Sequence, residues 1–393
     1  MQPEISHKQT TARGTVPLVV SVLGAGFTSG IIPAGLLPAN VLNFESAYHL
    51  SHDQMGRMVG LCMMFGGGIG GLIGGWLCGK IGAIRNMLLA LVMATSALCC
   101  IGLTKDYHAS IGGLLLYFFS MGFLASSNVL ATVMLPDRQR GVGLLHAFNG
   151  VGKLIGPILA SLFLYGAWRN SFLAVAALPV LLTIPLLLAH RDIDKTIGRK
   201  HDKSIRAGLP FWISVGGFGL IAGSEIAVAL WIPTYARQAR GFSAPHANLL
   251  LSIFLCGLVF GRFTSSAFSH KLPPKRSIAL GVSCIIFAAP ALYFSSYSLA
   301  GASFFLFGMA FSCTYPSYFA HLSTIFPEHL GLMGGASAFA TQLGMALCSF
   351  IGGKLAVQNL SYPIIFGALV MGVFAIAFFA SPLARVPSSL DKP

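Results

Sequence analysis

HRDIDKTIGRKHDKSIRA, residues 190–207, is the longest polar stretch in a chain of 393 residues. On either side of it the sequence is built from long apolar runs, each close to the roughly 20 residues that a bilayer-spanning helix needs. Six such runs precede the stretch and six follow it. The stretch therefore reads as a basic linker between two membrane-embedded halves.

The composition agrees with that reading. Hydrophobic residues make up 55% of the chain and charged ones only 9%, against about 25% charged in soluble domains. The expected fold is all-α and integral to the membrane, with twelve transmembrane helices in two pseudo-symmetric six-helix halves. The expected divisions are an N-terminal tail 1–15, a first half 16–190, the linker 191–208, a second half 209–381 and a C-terminal tail 382–393. The first apolar run, 16–42, is longer than the 7–15 residues of a signal-peptide core, so it is expected to remain in the mature protein.

A net charge of +14 raises the question of nucleic acid, and the placement of the cations answers it. All Lys and Arg fall on the side of the termini and linker except Arg57, Lys105, Arg169, Arg237, Arg240, Lys354 and the intramembrane Lys153. That asymmetry is the positive-inside pattern, with both termini cytoplasmic. The partners expected are therefore the lipid bilayer and a small-molecule solute, with no nucleic acid. The eight cysteines lie in or at the ends of apolar runs, with no CxxC and no nearby histidine set. They read as small buried residues, and no metal, cofactor or disulfide framework is expected.

The halves repeat. A shift of 191 residues lays Pro136-Asp137 on Pro327-Glu328, Gly143 on Gly334 and Ala147-Phe148 on Ala338-Phe339. Both copies lie between the fourth and fifth runs of their half. Repeats related about the membrane normal place a solute site near the midplane between them. Gly67, Gly71 and Gly75 in the second run form a small-xxx-small pattern suited to close helix packing. Gly66, Gly68 and Gly71 satisfy GxGxxG, but no strand precedes them, so a nucleotide site is not expected.

Between the second and third runs stands Gly75-Trp-Leu-Cys-Gly79-Lys80-Ile81-Gly82-Ala-Ile-Arg85. It resembles the signature loop of the major facilitator superfamily, with Gly75, Lys80 and Gly82 matching and Gly79 where the family has an acid. Gly143, Gly152 and Gly156-Pro157 resemble the family's glycine-proline motif in the fifth span. Within the family, the chain is most similar to the fucose-proton symporter branch. Asn128, Leu144-Leu145-His146-Ala147-Phe148, the run from Gly223 and Glu225 to Trp231 and Tyr235, and Gly257-x3-Gly261-Arg262 carry that resemblance. Where the branch has an acid four residues before the Asn, this chain has Leu124. The resemblance implies a secondary transporter working by alternating access, with Lys80, Arg85 and Arg262 in gate or loop contacts.

Of eleven Asp and Glu residues, only Glu225 lies deep in an apolar run. An ionisable group at that depth costs about 3 kcal/mol on insertion scales and generally faces the bundle interior with a partner. It is the candidate for proton coupling, or else a structural tie to a neighbouring helix. Lys153 lies near the middle of the fifth run, expected over 141–166. His146, Asn149 and Lys153 are spaced i, i+3, i+7 and share one helix face. Lys153 is either a contact for an anionic solute or the partner of Glu225, or its side chain snorkels; the first two are compatible if solute breaks the pair. Asn128, Tyr315, His321 and Gln342 complete the candidate solute-binding set, though His146 and His321 could instead bridge helices.

A fixed cation opposite one titratable carboxylate favours an anionic solute. The expected function is proton-coupled transport of a small organic anion, such as a sugar acid, an amino acid derivative or a carboxylate chelator, with sodium as the alternative coupling ion. A neutral-sugar symporter and a drug or metabolite exporter are the competing readings. No paired intramembrane carboxylates, HExxH or Ser/Lys dyad is present, so an enzyme is not expected. The protein is expected to act as a monomer in the cytoplasmic membrane.

Overall fold

The computed structural model describes residues 12–131, 138–163, 167–193, 207–267, 273–293, 296–312 and 314–385. Most of the linker and both tails, the Pro136-Asp137 copy of the repeat and Cys313 lie outside the described residues.

Among the described residues, eleven helices are long and apolar enough to cross a bilayer. Spans one to four are Val16–Ala39, His52–Ile81, Ala83–Leu103 and Tyr107–Leu124. Spans six to twelve are Arg169–Leu188, Leu209–Gln238, Ala244–Thr264, Pro274–Tyr293, Tyr297–Ile325, Leu332–Gln358 and Tyr362–Ala380. Span five, Arg138–Leu162, has 25 residues, about 37 Å of helix. It is long enough to cross but less apolar, because it carries Arg138, Arg140, His146, Asn149 and Lys153.

Helix starts follow local chemistry. Ser51 and Gln54 form a capping box at the start of span two, and the Asp106 carboxylate accepts from the Ala109 N–H at 2.8 Å to start span four. Each satisfies a backbone N–H that has no partner within the helix. Span four ends earlier than the expected 110–135. It stops at Leu124 and is followed by the short helix Ser126–Ala131.

Several spans depart from regular α geometry, among them span nine, which tightens to a 3-10 turn at Cys284–Phe287. Span one carries a π turn at Ile32–Leu36 and span two another at Cys62–Gly68. Span seven breaks between Ala229 and Ile232, just ahead of Pro233, whose ring nitrogen cannot donate to the preceding turn. Irregular backbone at membrane depth persists only where protein or a cavity covers it.

The glycine-proline motif of span five is a packing surface. A Cβ at Gly152 would come within 2.1 Å of the Phe27 carbonyl oxygen, and one at Gly156 within 2.5 Å of the Leu36 nitrogen. Spans one and five are thus in backbone contact along the π turn of span one. Pro157 and Pro17 sit inside their helices without ending them, as neighbouring helices in a membrane bundle permit.

The two halves meet along spans two and eleven and along spans five and eight. At the end of the bundle opposite the basic connections they touch closely. A Cβ at Gly56 would lie 2.7 Å from the Gly353 Cα, the Asn248 amide donates to the Ser161 hydroxyl at 3.1 Å, and the His52 and Trp231 rings lie 5.5 Å apart. Toward the basic end, Gly71, Gly75 and Gly79 on span two and Gly334 and Gly335 at the start of span eleven have no described atom within 4 Å of a Cβ position. The halves therefore form a wedge that is closed at one end and open toward the basic end.

Candidate functional site

The wedge closes over a cluster of three charges drawn from both halves. The Lys153 ammonium, on span five, donates to Oε1 of Glu225 on span seven. Arg262, on span eight, places one guanidinium nitrogen 3.9 Å from Oε2 of the same carboxylate. Its other terminal nitrogen donates to the His146 carbonyl oxygen at 3.3 Å. The side chains of Lys153, Glu225 and Arg262 are 14%, 11% and 11% exposed, so all three sit in a site largely closed to water. Two cationic side chains, Lys153 and Arg262, face one carboxylate, Glu225.

Local structure explains how these groups reach one point. Span one crosses span five at Gly35, where a Cβ would lie 2.5 Å from the Lys153 carbonyl oxygen. That contact fixes the backbone at Lys153 through the π turn. Glu225 lies one turn before the break in span seven. Arg262 sits nearer the basic end, and its long side chain reaches back toward Glu225.

The remaining candidate residues divide between the cluster and its surroundings. The His146 ring lies 6.3 Å from the Tyr315 ring, across the seam between halves. The Tyr315 hydroxyl is 3.4 Å from that of Thr341, and its ring packs on Phe218 at 4.9 Å. Asn149 donates to the Ser29 hydroxyl at 2.9 Å, tying span five to span one. Gln342 lies against span two, where a Cβ at Gly67 would come within 2.4 Å of its carboxamide carbon. Its Oε1 is buried with no hydrogen-bond donor among the described residues.

Two candidates lie elsewhere. His321 is fully buried; its Nε2 donates to the Leu383 carbonyl oxygen at 2.9 Å and its ring meets Phe378 edge-on at 5.6 Å. That is an inter-helix contact near the basic end. Asn128 is exposed on the short helix after span four.

Arg262, expected in gate or loop contacts, reaches the Glu225 carboxylate and the His146 carbonyl oxygen. Arg57, expected in an outer loop, lies within the first turns of span two and pairs with Asp53.

The signature loop has its own logic. Gly82 sits at φ 89° between spans two and three, a left-handed conformation that favours glycine. The Lys80 ammonium lies 3.8 Å over the Trp76 ring. Gly75 and Gly79 face open space, and Arg85 is exposed.

A bundle of membrane-spanning helices in two facing halves, wedged open at one end over a buried charged cluster, is the form of a secondary transporter. The chain belongs to the Major Facilitator Superfamily, whose profile matches residues 18–349. It is a multi-pass membrane transporter of small-molecule solute and not an enzyme. It is 23% identical over 364 residues to a cis,cis-muconate transport protein of Acinetobacter baylyi, covering 83% of this chain and 87% of that one. Among solved structures it resembles a nucleoside transporter, with TM-score 0.71 and 13% identity over 93% of this chain and 99% of the other. It also resembles the E. coli fucose:proton symporter, with TM-score 0.61 and 17% identity over 94% and 99%. These two likenesses describe the fold.

Proposed function

We propose that the protein moves a small organic carboxylate across the cytoplasmic membrane in company with a proton, by rocking its two halves, 16–190 and 209–381, about the Lys153–Glu225–Arg262 cluster. The observation that carries the proposal is the sharing of one carboxylate, Glu225, by two cations. A solute carboxylate has the charge and geometry to take the place of Glu225 on Lys153 and Arg262. Arginine suits such a group because its fork can bind both oxygens.

Displaced from its cations in a largely dry site, the Glu225 carboxylate is unfavourable as an anion and takes up a proton. The site then holds two cations and one solute carboxylate. Its net charge is the same before and after loading, so one proton accompanies each carboxylate that enters. Because Lys153 belongs to one half and Glu225 and Arg262 to the other, the exchange also loosens a tie between the halves, which alternating access requires.

His146, Tyr315, Asn149 and Gln342 are proposed to shape the solute cavity around that point, while Asn128, exposed on the short helix after span four, and His321, bonded to Leu383, lie away from it. The basic end is the cytoplasmic one, with the linker 191–208 and both tails on that side, and the structure then faces inward. The muconate relative carries a dicarboxylate in its name, in keeping with an anionic solute.

The test is a thermal-shift screen of the purified protein against mono- and dicarboxylates, sugar acids, amino acids and neutral sugars, with Lys153→Gln beside the wild type. A ligand of the folded state raises its apparent stability by mass action. Carboxylates are expected to stabilise the wild type and not Lys153→Gln. Equal stabilisation of both proteins by neutral sugars would overturn the anion reading in favour of a sugar symporter.

A further inference from the structure

The glycines of span two show where the wedge begins to open. A Cβ at Gly56 would lie 2.6 Å from the Ser349 carbonyl oxygen, and one at Gly60 2.9 Å from that of Ala346. Spans two and eleven are thus in backbone contact toward the closed end. Two turns nearer the basic end, a Cβ at Gly67 would meet the carboxamide of Gln342, 2.4 Å from its carbon, 2.6 Å from Oε1 and 2.7 Å from Nε2. One turn farther on, Gly71 has no described atom within 4 Å of its Cβ position. Gln342 therefore stands at the apex of the wedge, where close contact between the halves gives way to open space.

Span two makes room for this side chain. Gly67 lies within the π turn Cys62–Gly68, and any larger residue there would take the place of the carboxamide. Gln342 is also close in depth to the charged cluster. A Cβ at Gly219 would lie 2.8 Å from the Ala340 carbonyl oxygen, and one at Gly223 2.7 Å from that of Gly344. Residues 340–344 of span eleven thus pack on 219–223 of span seven, which puts Gln342 about 6 Å from Glu225 along the bundle, roughly one helical turn.

The carboxamide lacks a partner. Its Oε1 is shut off from solvent and has no donor among the described residues, although the residue as a whole is partly exposed. The nearby hydroxyls of span eleven are occupied: that of Thr341 faces the Tyr315 hydroxyl at 3.4 Å, and that of Ser337 donates to the Gly334 carbonyl oxygen at 3.0 Å. An unpaired buried acceptor is costly, and an apolar side chain of the same length would fill the space without that cost. A polar group kept unpaired at the mouth of a cavity calls for a partner that comes from the cavity.

A hydroxyl answers best, because it donates to the carboxamide oxygen and also accepts from its NH2. An ammonium donates too, but it would bring a third cation to a site that already holds Lys153 and Arg262. A hydrocarbon acid would leave Oε1 unpaired, and a site built to hydrogen-bond a hydroxyl discriminates against an analogue without one.

We propose that the solute is a hydroxycarboxylate, a sugar acid or a short hydroxy acid, held by its carboxylate on Lys153 and Arg262 and by a hydroxyl on Gln342 at the apex of the wedge. The proposal rests on the carboxylate reading above and narrows its substrate class.

The test is calorimetric titration of the full chain in detergent with two matched pairs of acids, gluconate against hexanoate and lactate against propionate, and with glucose as the neutral control. In the wild type the hydroxylated member of at least one pair should bind more tightly. In Gln342→Leu the ratio of the two affinities should fall about tenfold, the effect of one hydrogen bond. Gln342→Met, unbranched and of the same length, should give the same fall and serves if Gln342→Leu does not fold. Equal binding within both pairs in the wild type, or a ratio unchanged in these variants, would overturn the proposal and leave the carboxylate reading standing. Binding of glucose with no binding of any acid would overturn the carboxylate reading and this proposal with it.

Discussion

Lys153 and Glu225 form an ion pair between the two halves of the bundle, and Arg262 lies on the far oxygen of the same carboxylate. Removing one partner of a buried pair typically costs about 3–5 kcal/mol, because it leaves a buried charge uncompensated. The triad makes the two single removals unequal. Lys153→Gln leaves Glu225 with Arg262, whereas Glu225→Gln leaves two cations side by side. Unfolding temperatures in detergent, without solute, should therefore fall further for Glu225→Gln than for Lys153→Gln. The reverse order would mean that Arg262 does not share the carboxylate.

Arg262→Lys keeps the charge but loses the fork that reaches both Glu225 and the His146 carbonyl. Binding of the best carboxylate from the screen should weaken about tenfold, equivalent to about 1.4 kcal/mol, with little change in unfolding temperature. A titration followed by thermal shift measures both. An unchanged affinity would place Arg262 outside the solute site.

His321 and His146 should separate cleanly. His321→Ala removes the hydrogen bond to Leu383 and should cost about 1–2 kcal/mol of stability with solute affinity unchanged. His146→Ala should lower affinity or transport more than stability, since its ring faces Tyr315 across the seam. Paired measurements of unfolding temperature and solute affinity on both variants distinguish the two roles.

The glycines of the two family motifs should behave oppositely. Gly152→Val drives a side chain into the Phe27 carbonyl, 2.1 Å from the Cβ position, and should abolish correct folding, read as loss of the monodisperse peak on gel filtration. Gly75→Ala meets nothing within 4 Å and replaces a poor helix former with a good one. It should leave stability unchanged or raise it by up to about 1 kcal/mol.

The division between what the sequence discloses and what it conceals follows the physics of a bilayer. Apolar length is a one-dimensional property, so the spans before and after residues 190–207 can be counted without a structure. Depth is also one-dimensional, which is why Lys153 and Glu225 stand out. Which groups meet is a matter of three dimensions. The i, i+3, i+7 face of span five is real in register, yet Asn149 turns to Ser29 of span one while Lys153 turns to span seven. Arg262 was concealed by its reach, and His321 by a partner more than sixty residues away in sequence. The π turns of spans one and two left no trace in the apolar pattern, because they change backbone pitch without changing residue type.

The central claim is that a solute carboxylate displaces Glu225 and that the displaced group takes up a proton. Proton uptake measured with a pH-indicator dye in weakly buffered detergent solution, on adding the best-stabilising monocarboxylate, tests this most directly. Uptake of about one proton per bound carboxylate in the wild type and none in Glu225→Gln is the predicted result. Binding without proton uptake, or the same uptake in Glu225→Gln, would contradict the account.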